Sequence, residues 1–179
     1  MPKRHQQLEF QAAGFEKPKD WFGGKYLKNS HAKTRRPLSS KFPIHLVLRS
    51  KKAKGAWSFL HAKQFRKVNG LVREVAKRHG VRIYDYANSG NHLHILLRLR
   101  SIHGWSAFIR ELSGRLAQVV QGLSAKDKTV DSFWDQRPFT RIVSGWNKAY
   151  RVVKDYVLRN RMEAEGLLPR KQSLEWSSA

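Results

Sequence analysis

Val81-Arg82-Ile83-Tyr84-Asp85-Tyr86-Ala87-Asn88-Ser89-Gly90-Asn91-His92-Leu93-His94-Ile95-Leu96-Leu97-Arg98-Leu99 is the stretch that decides the fold. Two apolar runs flank Asn-Ser-Gly-Asn, a turn composition. The stretch therefore predicts a hairpin: a strand over 81–87, a turn at 88–91 and a strand over 92–99. Side chains along a strand alternate between its faces. His92 and His94 thus share one face, roughly 6–7 Å apart along the chain, while Leu93, Ile95 and Leu97 share the other.

Working outward, Phe42–Arg49 (Phe-Pro-Ile-His-Leu-Val-Leu-Arg) reads as an earlier strand. Between it and the hairpin, Phe65, Val68, Leu71, Val72, Val75 and Ala76 recur at helical spacing over 62–79, and Gly80 stops them. After the hairpin, Ile102, Trp105, Phe108, Ile109, Leu112, Leu116, Val119 and Val120 line one side of a helix over 101–122. A polar loop follows over 123–132. A short fourth strand is expected within 133–143, firmest at Arg141-Ile142-Val143. A third helix spans 146–165 and ends at Gly166. The order β-α-β-β-α-β is that of a ferredoxin-like α+β fold: a four-stranded antiparallel sheet with two helices on one face. The additional C-terminal helix must pack somewhere, and the free face of the sheet is where it would meet His92 and His94. Three regions result: a basic, poorly ordered N-terminal arm (1–40) in which Trp21 and Phe22 dock on the domain or stack on a base, a folded domain (41–167) and an irregular tail (168–179).

The 179 residues include 36 Lys+Arg against 13 Asp+Glu, a formal net charge of +23. Such an excess points to a polyanionic partner, nucleic acid first. It is concentrated: residues 41–100 carry +12, against +6 for 1–40 and +5 for 101–179. No apolar run reaches the ~18 residues of a membrane span, so no membrane partner is expected. The N-terminus lacks the apolar segment of a secretory signal. No cysteine is present, which suits a reducing cytoplasm and limits metal ligands to His, Asn, Gln, Asp and Glu.

Two readings of the histidine pair stand side by side. In one, His92 and His94 are unremarkable residues of a sheet face. In the other they converge on a metal ion, with a third ligand arriving from elsewhere. The natural supplier is the last helix, where Tyr156 and Asn160 stand four apart and so share a face. The amide oxygen can complete a metal shell, and the phenol can attack a phosphate. Equally, Tyr156 can be a packed aromatic and Asn160 a polar residue near a helix end. Tyr150 fits the apolar series Trp146, Ala149, Val153, Val157 and reads as core. His45 lies opposite in sense to Ile44 and Leu46, either near a scissile phosphate or simply on the sheet face. Lys51, Lys52, Lys54, Arg141, Arg151, Lys154 and Arg159 are candidate contacts to a DNA backbone, as is His45. The three cations of the last helix are also expected to lower the phenol's pKa.

Asn91-His92-Leu93-His94 on a strand, followed by Tyr156-Val157-Leu158-Arg159-Asn160 on a late helix, resembles the single-tyrosine HUH transposases. Within them it is most similar to the REP-associated tyrosine transposases and related insertion-sequence transposases. Ile44-His45-Leu46-Val47-Leu48-Arg49 and Phe133-Trp134-Asp135-Gln136-Arg137 support the resemblance, which spans roughly residues 43–167. It implies that Tyr156 is the nucleophile and that His92, His94 and Asn160 bind a divalent ion, Mg²⁺ or Mn²⁺. Two imidazoles favour Mn²⁺, and Zn²⁺ can substitute. It further implies a single-stranded DNA endonuclease and transposase that cuts beside hairpin or palindromic elements. The products are a 5′-phosphotyrosine and a free 3′-hydroxyl, and the enzyme works as a monomer or a helix-exchanged homodimer in a bacterial-type cytoplasm, at the nucleoid. The chain departs from many relatives at Ser89-Gly90, where they have Met-Pro, and at Arg161, where they have proline.

The alternative on the same fold is a non-catalytic module that binds single-stranded or hairpin nucleic acid. An RNA-recognition sheet would carry a Lys/Arg-Gly-Phe-Gly-Phe-type signature, which is missing. A metallohydrolase of the His-x-His-x-Asp kind is excluded by Leu96, and a two-histidine phosphoesterase by the lack of a second His-x-Ser/Thr motif.

Overall fold

Alternation along two neighbouring strands sorts the side chains of the sheet. Ile44, Leu46 and Leu48 on one strand and Leu93, Ile95, Leu97 and Leu99 on the next are buried in one large core. His45, His92 and His94 point to the other side. The computed structural model describes residues 21–23, 36–124, 132–144 and 148–169. Its elements are β1 (Trp21–Phe22), β2 (Ile44–Arg49), α1 (Ala62–Arg78), β3 (Val81–Asn88), β4 (His92–Leu99), α2 (Trp105–Gln121), β5 (Phe139–Ile142) and α3 (Lys148–Ala164).

The four-stranded core sheet runs in the order β5-β2-β4-β3 and is antiparallel throughout, as the ferredoxin-like reading requires. Helices α1 and α2 cover its first face. Val68, Leu71, Val72 and Val75 of α1 meet Phe108, Leu112 and Leu116 of α2 there. Phe65 and Ile102, expected on those apolar stripes, are instead exposed at 41% and 37%. The fourth strand ends one residue earlier than expected. Val143 leaves the ladder, its N–H bonding to Pro43 O at 2.8 Å, and its side chain joins a second core.

A short fifth strand extends the sheet. Trp21 and Phe22 pair with Arg141 and Thr140 of β5. Gly23 follows with φ 82°, and a Cβ there would lie 2.2 Å from Pro138 O, so only glycine fits. Arg36 fastens the same edge: its guanidinium donates to Pro138 O and Thr140 Oγ1 and lies 4.2 Å over the Phe22 ring. These parts of the basic arm are thus docked. Residues 1–20, 24–35 and 170–179 lie outside the described residues, as do most of the 123–132 loop and Trp146.

Helix α3 covers the second face. Val153 and Val157 bury against Ala87 and Leu96 of the sheet and Val143. A bulge in β3 shapes this contact. Ile83 pairs with Leu97 and Asp85 with Leu96, so Tyr84 is the extra residue. The bulge turns both Tyr84 and Asp85 toward α3. Tyr84 meets Tyr150 edge-on at 6.0 Å, and Arg161 reaches Asp85 at 3.5 Å. No helix among the described residues is long and apolar enough to cross a membrane.

Leu96 is fully buried between sheet and helix. Leu96→Ala is expected to destabilise the fold by about 2–5 kcal/mol in urea denaturation. Hydrogen exchange should quicken across 148–164 before it does across β2 and β4.

Candidate active site

The open face of β2 and β4 holds three imidazoles, because β2 lies beside β4 with Val47 opposite His94 and His45 opposite Leu96. His45 Nε2 lies 3.1 Å from His94 Nδ1, and the two rings stack with centroids 5.3 Å apart. His92 and His94 stand edge to face at 4.7 Å. His92 is anchored from the turn: its Nδ1 lies 2.6 Å from Asn91 Oδ1. An amide oxygen only accepts, so His92 Nδ1 carries the hydrogen and Nε2 keeps its lone pair. Ser50 N–H ties β2 to Asn91 O at 2.9 Å, and Gly90, at φ 89°, lets the turn close against Ser58 and Leu60.

Helix α3 brings its residues to this cluster. The Tyr156 ring stands edge-on to His94 at 5.3 Å and to His45 at 6.0 Å. Asn160, one turn on, donates through Nδ2 to Tyr156 O at 2.7 Å. Its nitrogen is thus turned to its own helix, and the atom suited to a cation is Oδ1. The structure thus brings Tyr156 to the histidine cluster, with Asn160 one turn further along the helix that covers it.

Burial dominates the electrostatics. It pushes the His45 imidazole down to about 3, with the Arg141 guanidinium adding to the effect. It pushes His92 down to about 4, helped by Arg49. His94 falls well below the ordinary histidine value through burial, then through His92 and His45. All three are neutral at pH 7, the form in which imidazole binds metal. Tyr156 moves the opposite way from the sequence expectation. Burial raises it, a hydrogen bond with Asn160 offsets part of that, and Glu163 adds to the rise. The cations meant to lower it, Arg151, Lys154 and Arg159, sit on the exposed side of α3, and Arg159 is paired with Glu163 at 2.9 Å.

The donor set fits a divalent ion. His94 Nε2 is buried without a hydrogen-bond partner among the described residues, an arrangement that calls for one. No group of three or more His, Cys, Asp or Glu side chains suited to a metal occurs among those residues. An amide such as Asn160, one turn from Tyr156, is a different kind of donor that could add to the two histidines.

The remaining sequence candidates divide by exposure. Lys51, Lys52 and Lys54 are exposed in the loop after β2, which is tied to the segment before β5 by Lys51 N–H donating to Asp135 Oδ1 at 2.7 Å. His45 and Arg141 are interior, 6% and 2% exposed, so neither presents a surface for direct DNA contact in this arrangement. The His45–His94 contact was not foreseen. Its signal was available, since His45 alternates with Ile44 and Leu46, and the strand order seats β2 beside β4.

The family model described as "Transposase IS200 like" matches residues 39–160, from just before β2 to Asn160. The chain belongs to the IS200-like transposase family. Membership makes it, in general terms, a transposase that cleaves and joins DNA. No curated protein matches this transposase. Among solved structures it is similar to a REP-associated tyrosine transposase bound to a REP hairpin, at 17% identity over 76% of each chain with a TM-score of 0.57. A crystal structure of a candidate transposase from Deinococcus radiodurans R1 matches at 16% identity, over 72% of this chain and 98% of that one, with a TM-score of 0.44. The first likeness places the IS200-like chain in the same fold.

The depressed histidine values set an acid limit. Well above pH ~6.5 folded and unfolded states both hold neutral imidazoles. As pH falls from there toward 4, the unfolded chain takes up protons that the buried rings refuse, so stability declines. Metal-free protein should lose melting temperature steadily across that window. His45→Gln should make the decline shallower, as read by thermal melts at pH 7.5, 5.5 and 4.5.

Proposed function

We propose that this transposase is a single-tyrosine transesterase that cuts and rejoins single-stranded DNA beside hairpin or palindromic elements. The observation that carries this reading is the meeting of Tyr156 with His94, 5.3 Å between rings contributed by a helix and a strand more than 60 residues apart. A phenol ring set edge-on against buried, unprotonated histidines supports a nucleophile beside a metal site, a placement that the core-aromatic alternative does not require.

His92 Nε2, His94 Nε2 and Asn160 Oδ1 would hold Mg²⁺ or Mn²⁺. The ion supplies positive charge beside a phosphate, fixing its orientation and offsetting charge in the transition state. Burial keeps the Tyr156 phenol protonated until a substrate is seated. Its oxygen then attacks phosphorus as the proton departs. The P–O3′ bond breaks, the 3′-oxygen takes up a proton, and the 5′-phosphate remains on Tyr156. Attack by another 3′-hydroxyl reverses the step and joins strands without a nucleotide cofactor.

The net charge of +23 supports a polyanionic substrate, with Lys51, Lys52 and Lys54 beside the Asn91 turn and Arg151 and Lys154 on α3 as the backbone contacts. The hairpin is inferred from the fold shared with a transposase bound to a REP hairpin. In the single chain, Tyr156 and His94 belong to one subunit. Exchange of α3 between two copies would rebuild the same pair across a dimer. Such an enzyme acts in the cytoplasm at the nucleoid, where its substrate is.

Labelled hairpin single-stranded DNA incubated with the protein and Mn²⁺ should yield a covalent adduct on denaturing gels. Tyr156→Phe should abolish it, and His92→Ala or His94→Ala should slow it by about 10²-fold or more. Adduct formation by Tyr156→Phe contradicts the assignment. Tight hairpin binding without any adduct, whatever the metal, supports a non-catalytic module instead.

A further inference from the structure

His45 is a buried imidazole that the proposed chemistry does not use, and it is 3.1 Å from one of the two histidines that it does. Two hydrogen arrangements satisfy that contact. If His45 Nε2 donates, His94 Nδ1 accepts, the neutral His94 ring carries its hydrogen on Nε2, and it has no lone pair to offer an ion. If His94 Nδ1 donates, His45 Nε2 accepts and His94 Nε2 is a bare lone pair. The second arrangement is the one that agrees with the surroundings. His94 Nε2 is buried with neither donor nor acceptor beside it among the described residues; an N–H placed there stays stranded, whereas a lone pair can be taken up by an ion. Arg141 pairs with His45 across β2 and β5, and a second positive charge beside that guanidinium is disfavoured, which leaves the neutral His45 ring to accept.

We propose that His45 is a positioning residue that fixes the tautomer of His94, taking the hydrogen on Nδ1 so that Nε2 is held ready as a ligand. His92 is fixed in the same sense by Asn91 Oδ1. Each proposed ligand then has its own backing partner, one from the turn and one from the neighbouring strand. This rests on the metal-site reading above but concerns a residue to which that reading gives no role. It also replaces a direct DNA contact by His45 with an indirect effect.

Two measurements on the full chain test it. Long-range proton–nitrogen spectra of the metal-free protein should show His94 protonated on Nδ1 in the wild type. In His45→Gln the amide oxygen can still accept, and that tautomer should persist. In His45→Ala it should be lost. Mn²⁺ titration followed by calorimetry should show affinity about 10–100-fold weaker for His45→Ala and restored toward wild type in His45→Gln. Hairpin DNA affinity in EDTA should be equal in all three. A wild-type His94 protonated on Nε2 overturns the inference, as does unchanged Mn²⁺ affinity in His45→Ala. So does a loss of hairpin affinity in EDTA. A wild type with the expected tautomer but no Mn²⁺ binding leaves His45 in its role and overturns the metal-site reading instead.

Discussion

Everything at the candidate site depends on one packing contact, that of α3 on the open face of the sheet. A sheet with helices on one side only leaves its other face to water. Here Leu96, Ala87 and Val143 make part of that face apolar, and Val153 and Val157 cover it. Burial of this small second core is what holds Tyr156 over His94. The same contact dries the histidines and so decides their charge. Leu96 occupies the place where a third acidic ligand would sit on β4. With Leu96 used in packing, the proposed metal site draws its further ligand from the helix.

The result is a centre with little charge of its own inside a strongly basic protein. Burial keeps the three imidazoles neutral and the phenol protonated. Positive charge lies outside, in the Lys51–Lys54 loop and on the exposed side of α3. The carboxylates of the helix layer are occupied elsewhere: Glu74 and Glu111 are paired with Arg78, Arg115 and His79 on the far side of the sheet. On the proposed reading, a polyanion is drawn to this basic surface around the buried centre. In the proposed chemistry the cation at the phosphate would come to an uncharged centre, a role that suits a metal more than a lysine.

Much of this was legible in the sequence, because period-2 and helical patterns dominate residues 42–122. The hairpin over 81–99 gave the histidines their shared face, and the helical spacing of Tyr156 and Asn160 gave them theirs. Less legible was anything that depends on two elements meeting. The exposure of Phe65 and the burial of Arg141 are set by neighbours distant in sequence. The bulge at Tyr84 shows in the sequence only as a break in alternation between Ile83 and Tyr86. The direction of the Tyr156 shift was misread for the same reason. Arg151, Lys154 and Arg159 are near the phenol in sequence but face away, whereas Glu163 and the buried sheet act on it directly. Trp21, Phe22 and Arg36 belong to a region with no periodicity, and only their partners on β5 and α2 reveal their place.

The central claim is that one metal site lies between β4 and α3, within reach of the Tyr156 phenol. Paramagnetic broadening by Mn²⁺ of ring signals in protein labelled at tyrosine tests it most directly. Tyr156 should broaden at the lowest Mn²⁺, ahead of Tyr86, whose hydroxyl bonds Asn69 on the opposite face of the sheet, and His92→Ala should remove the effect. Broadening of Tyr86 as early as Tyr156, or none at Tyr156 at any Mn²⁺ concentration, would contradict the account.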